Sequence, residues 1–133
     1  MTIFENAYVT IAFDASIPCL EWIGKQYIPS AEFRNSEEKL LQTYREYTKK
    51  FPMLPMCIDA RLIGVISPKD TQWVAEVIVP QAIDAGLKKE AFIVAEGLSK
   101  MTVSHYKSAT GASVEIGMFL SVDDAKNWLK KGK

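Results

Sequence analysis

The sequence predicts a single α/β domain over residues 1–133, with a mostly parallel central sheet of about five strands, an antiparallel N-terminal hairpin and about four covering helices. Three observations predict it. Short apolar runs bounded by turn residues alternate along the chain with longer segments of helical period. The link between the first two strands is too short for a crossover, so that pair is antiparallel. Every later strand is separated from the next by a helix-length segment, which makes those pairs parallel.

The first strand is expected over residues 6–14, where Ala7, Val9, Ile11 and Phe13 share a face opposite Tyr8, Thr10 and Ala12. Asp14-Ala15-Ser16 and Pro18 make a turn, and residues 19–25 form the second strand. A helix then enters at Pro29-Ser30, with Ser30 as its cap, or at Ser36-Glu37-Glu38 if it starts later. Leu40, Tyr44, Tyr47 and Phe51 make its apolar stripe, and Lys49-Lys50 suit its last turn. Pro52 and Pro55 stop it.

Residues 56–60 read as a buried central strand. Ser67-Pro68-Lys69-Asp70 is a helix start, with serine at the cap, proline in the first position and an acid in the first turn. Trp73, Val74, Val77, Ile78 and Ala82 face inward. Pro80 removes one backbone donor and is expected to kink this helix without ending it, and Gly86 is its C-terminal stop. A buried strand follows at 90–95, a short helix at 98–106, a loop at 108–113 and a last strand at 114–119. Ser121-Val122-Asp123-Asp124 caps the closing helix, whose inward face is Val122, Ala125, Trp128 and Leu129.

Composition narrows the function classes. Sixteen basic residues balance 16 acidic ones, for a formal net charge of 0 with the lone histidine neutral. A nucleic-acid partner is therefore not expected, because such domains carry a basic excess. Apolar residues make up 48% of the chain, too many for a disordered segment. No apolar run approaches the roughly 18 residues of a membrane span, so no membrane insertion is expected. Cys19 and Cys57 form no Cys-x-x-Cys pair and lie in apolar stretches, as buried reduced thiols do. The N-terminal residues do not read as a signal peptide, and a cytoplasmic location follows as the expectation.

Several stretches carry a family resemblance. Asp59-Ala60-Arg61 follows a buried strand; Gln72-Trp73 and Pro80 come next; Ala85-Gly86-Leu87-Lys88-Lys89 leads into Ala91-Phe92-Ile93-Val94. Together with the early segment 27–34 and the closing segment 119–129, these resemble the bacterial SpoIIAA-like branch of the STAS superfamily. The resemblance covers nearly the whole chain and implies a sheet covered by helices. That fold is shared with anti-sigma-factor antagonists and, loosely, with CRAL-TRIO lipid carriers. Phosphorylatable antagonists resemble one another in an Asp-Ser-Ser-Gly-like turn. Here the corresponding stretch runs from Asp59 to Pro68 without that motif, and Ser67 is its nearest serine.

Four residues are candidate ligand contacts. Asp59 and Arg61 lie just past the carboxyl end of a parallel strand, where open α/β sheets bind ligands, although a local salt bridge or loop hydrogen bond is the more common role for such a pair. Ser67 opens a helix, and Trp73 lies near that start, where an indole can line a pocket mouth. His105, the single histidine, has no partner at metal-ligand spacing. Gly111 and Gly117 belong to no phosphate-cradling loop, and the terminal lysines read as a solvated tail. No nucleophile, base or metal set with an orienting partner is visible, so neither catalysis nor a cofactor is expected. The chain reads as a binding or regulatory module acting through a protein partner or self-association as a homodimer. The alternative is a carrier or sensor of a small apolar, lipid-like molecule held between helix and sheet.

Overall fold

A computed structural model describes residues 1–131. Its sheet has six strands in sequence order: β1 (Thr2–Glu5), β2 (Val9–Asp14), β3 (Cys19–Gly24), β4 (Met56–Asp59), β5 (Lys89–Ile93) and β6 (Glu115–Phe119). β1, β2 and β3 pair antiparallel, and β3 through β6 pair parallel. The expected architecture holds with one strand more. Asn6 explains where the extra strand separates: its Oδ1 accepts from the backbone N–H groups of Tyr8 and Val9, so residues 6–8 turn instead of opening β2. Thr2–Glu5 itself shows no period-2 alternation. It is an edge strand with its register shifted between Thr2 and Phe4, and only its two middle residues are half-buried.

Helix α1 (Ser30–Tyr47) starts one residue earlier than the capping serine suggested. Pro29 holds the cap position, and the Ser30 hydroxyl donates to Asp70 instead. The helix ends before Lys49 and Lys50, with Thr48 as its C-terminal cap. Its buried face is Phe33, Leu40, Leu41 and Tyr44, so the stripe begins further toward the N-terminus than Leu40. Ser67 caps α2 (Pro68–Trp73) as expected, accepting from the Asp70 N–H at 3.1 Å.

The chain stays helical past Pro80. A π-helical turn over Val74–Ile78 precedes α3 (Val79–Asp84), and this local widening accommodates the missing proline donor. Gly86, at φ 117°, ends the segment. Its N–H bonds Ile83 and the Leu87 N–H bonds Ala82, which satisfies the last carbonyls of α3. α4 (Leu98–Thr110) runs four residues beyond Tyr106 and continues into a 3₁₀ turn, Gly111–Ser113, where a loop was expected. α5 (Val122–Lys131) is capped by Ser121, whose Oγ accepts from the Asp124 N–H at 3.1 Å.

The helices divide between the two faces of the sheet. On one face Val9, Ile11, Leu20, Trp22, Ile58 and Phe92 pack into the large core with α1, the α2–α3 segment and α4. On the other, Cys19, Cys57, Ala91 and Ile93 pack against Ala125 and Leu129 of α5. Strand alternation makes the division: Phe92 and Ala91 are neighbours in sequence and face opposite layers. Both cysteines are free and buried, and burial pushes the Cys57 thiol up to about 12. Val122 and Trp128, read as core-facing, are half-buried at the edge of the smaller layer. Among the described residues no helix is long and apolar enough to cross a membrane.

Candidate functional site

The sequence candidates fall into two places. Asp59 ends β4 and pairs with its near neighbour: its Oδ1 accepts from Arg61 Nε at 3.0 Å and its Oδ2 from a terminal guanidinium nitrogen at 2.7 Å. Asp59 also accepts from the Arg61 N–H at 3.2 Å, so the two close a small loop on themselves. Ser67 and Trp73 belong to a separate cluster around Asp70. The Asp70 carboxylate accepts from Ser30 Oγ at 2.9 Å and Arg34 Nε at 2.8 Å. Burial acts to raise the Asp70 pKa, but the hydrogen bonds from Arg34 and Ser30 outweigh it and leave it below the ordinary value. The Arg34 guanidinium also covers the Trp73 ring, 4.7 Å from its centroid. This cluster clamps the start of α1 to α2. His105 is exposed on α4.

A different feature lies between these elements. The larger core encloses a chamber of about 70 Å³. Its floor is Trp22 from β3, Met56 and Ile58 from β4, and Glu90 and Phe92 from β5. Its walls are the inner faces of α1, of the α2–α3 segment and of α4, including Leu40, Ile78 and Val103. Ile63 and Ile66, from the loop after β4, complete it. That loop is tied to α4 by Thr102, whose Oγ1 donates to the Gly64 carbonyl at 3.0 Å and accepts from the Ile66 N–H at 3.3 Å. Asp59, Arg61, Ser67 and Trp73 do not line the chamber.

Two acids do. Glu90 is 4% exposed and receives one hydrogen bond, from the Tyr106 hydroxyl at 2.6 Å. Burial pushes its carboxyl up to about 7, against the lowering effect of Tyr106. Glu37 stands opposite on α1. It is half-buried and lines the chamber. Burial, and then the nearby Glu90 carboxylate, push it up to about 8. Among the described residues no group donates a hydrogen bond to the Glu37 carboxyl, and no lysine, arginine or histidine lines the chamber. Tyr106 is held well above its ordinary pKa, first by burial and then by the charge of Glu90, so it stays a proton donor.

Sequence reasoning placed these residues on a strand or a helix and assigned none of the three to a site. Glu37 follows Phe33 by four positions and precedes Leu40 and Leu41 by three and four, so it interrupts the apolar face of α1. Glu90 opens a strand otherwise read as wholly apolar. An ionisable residue inside each apolar pattern was the available signal.

No family model and no curated protein matches the chain. Among solved structures, the chain is similar to an uncharacterised DUF3478-family protein with a SpoIIAA-like fold from Shewanella loihica PV-4. The two are 14% identical, the match covers 96% of this chain and 98% of that one, and the TM-score is 0.62. At this identity the likeness shows the fold: the chain has the SpoIIAA-like architecture that its resemblance implied.

Proposed function

We propose that the protein is a non-catalytic binding module that holds a small, largely apolar molecule in the chamber between its helices and its sheet. The observation that carries this reading is Glu37, a carboxyl without a protein partner on the wall of an otherwise apolar space. Cores pack to near-crystalline density, and a buried polar group is normally paired. A chamber that keeps both a void and an unpaired acid has the composition of a ligand site: apolar walls with a few polar groups that orient the guest. At about 70 Å³ the chamber has room for a small guest only. Ligand contact is assigned to Glu37, Glu90 and Tyr106. Asp59, Arg61, Ser67 and Trp73 are assigned the support of the surrounding loops and helix starts.

Calorimetric titration with n-butanol tests the reading. Wild type binds one equivalent, and Val103→Phe, which fills the chamber from α4, does not. Absence of binding to the wild type, or equal binding by the folded variant, would contradict it.

One observation favours protein contact as a second reading. Leu62 and Val65 on the loop after β4, and Leu98 and Met101 on α4, are 66%, 46%, 55% and 66% exposed. Thr102 links that loop to that helix, so the four side chains belong to one region of the surface. Sedimentation of wild type against Met101→Glu tests self-association there: a dimer that the variant dissociates supports it, and a monomer in both cases rules it out.

A further inference from the structure

The chamber has an unbalanced chemistry that narrows its guest. Two carboxyl groups reach it from opposite layers, Glu37 from α1 and Glu90 from β5. Among the described residues no cationic side chain lines the chamber with them. α4 contributes Tyr106 and Thr102; the α2–α3 segment contributes Thr71 with apolar residues; β3 and β4 contribute Trp22, Met56 and Ile58. Tyr106 supplies Glu90 with a donor, and Glu37 receives none. The protein therefore presents acceptors in excess of donors, in a space whose remaining walls are apolar.

We infer that the guest is a small aliphatic amine bound as its ammonium ion, its N–H groups donating to Glu37 and Glu90 and its hydrocarbon body packed on Ile58, Ile78 and Val103. This rests on the chamber being a ligand site and goes beyond it by naming the class of ligand. An ammonium group brings three donors and a positive charge to the two acids that lack them. A neutral alcohol brings one donor and no charge. A carboxylate brings a third negative charge once both acids are ionised, and is excluded then.

Binding is coupled to a proton. Burial pushes both carboxyls up, Glu90 to about 7 and Glu37 to about 8. An ammonium ion entering the protonated chamber therefore displaces one proton to solvent. Affinity for the amine rises as pH rises through this range and falls as the pair is protonated.

The experiment compares n-butylamine, n-butanol and butyrate as ligands of the intact protein at pH 5, 6, 7 and 8, followed by calorimetry. The expected result is n-butylamine binding at least tenfold more tightly than n-butanol at pH 8, weakening about tenfold per pH unit below pH 7, with n-butanol insensitive to pH and butyrate unbound at pH 8. Glu37→Gln keeps the shape and the n-butanol affinity but removes the preference for the amine. If Glu37→Gln does not fold, the wild-type pH series carries the test alone. Equal, pH-independent binding of amine and alcohol overturns the amine assignment and leaves the chamber a ligand site. Failure of all three to bind overturns the site itself, and the assignment with it.

Discussion

The Tyr106 hydroxyl lies 2.6 Å from Glu90 Oε1 and makes the single hydrogen bond that this carboxyl receives among the described residues. A helix and a strand thus meet at one donor and one buried acid. Because the bond favours the ionised acid, Tyr106→Phe is expected to move the Glu90 midpoint upward from about 7. Carbon-13 NMR of the side-chain carboxyl reads that midpoint directly. The variant should also lose about 1–2 kcal/mol of stability at pH 8, and less at pH 5, where Glu90 is protonated in both proteins. An unmoved midpoint would show that Tyr106 does not hold Glu90.

Stability should fall as pH rises from about 4.5 toward 8. The folded pKa values of Glu37 and Glu90 lie above the ordinary 4.5, so in this window the folded state binds more protons than the unfolded chain. Their contribution is fully present below the unfolded value and is lost as pH passes through the folded one. Glu37→Gln keeps the shape of the protonated acid and should flatten the decline by on the order of 3 kcal/mol. Asp14 and Asp70, both held below their ordinary pKa, act in a separate window below about 4, where falling pH removes their contribution. Urea unfolding across the pH range checks the sign. A stability that climbs between pH 5 and 8 would contradict the buried placement of the two acids.

Lys126 fastens α5 to the sheet. Its Nζ donates to Asp14 Oδ2 at 2.7 Å, across 112 residues of sequence, and lies 3.1 Å from Glu21 Oε2. Burial works against the ammonium, but its hydrogen bonds to Asp14 and Glu21 raise its pKa overall. Lys126→Met keeps the alkyl stem and leaves the half-buried Asp14 and Glu21 carboxylates without their shared cation, Asp14 keeping only its bonds from Ser16, at a cost of about 1–2 kcal/mol. Amide exchange should speed up in α5 before it does in α1. Equal protection in both proteins would make the ion pair dispensable.

Trp128 is wedged at the edge of the smaller layer. Its ring centroid is 5.3 Å from that of Phe119, the Lys89 ammonium sits 4.1 Å from its centroid, and Gly117 leaves room for it. Full burial would make Trp128→Ala cost about 3–5 kcal/mol. Half-burial lowers the expectation to about 2 kcal/mol, seen as a moderate fall in melting temperature with easier proteolysis of the C-terminal segment. A melting temperature equal to wild type, with weakened association in sedimentation, would instead place Trp128 at an interface.

The sequence was most legible where one local interaction decides the outcome. Ser67 and Ser121 each sit before an acid-bearing first turn, and both cap their helices through their own side chains. Gly86 stops a helix because its backbone needs a positive φ. Thr2–Glu5 was not legible, because an edge strand buried only in its middle lacks the alternation by which strands are recognised. The chamber was legible only in fragments. Glu37, Glu90 and Tyr106 come from three different elements, and no local pattern says that α1 and α4 lay these side chains over the same stretch of β5. Asp59 and Arg61 were visible from their place after a strand, and of their two readings, ligand contact or a local salt bridge, the structure shows the salt bridge.

The chamber is tested most directly by the methyl NMR spectrum of the protein titrated with n-butylamine at pH 8. The account predicts saturable shifts at Leu40, Ile58, Ile78 and Val103, which line the chamber, and none at Leu129, buried beneath α5 on the opposite face of the sheet. Shifts confined to exposed methyls such as Leu62 and Leu98, or no saturable shift at any methyl, would contradict it.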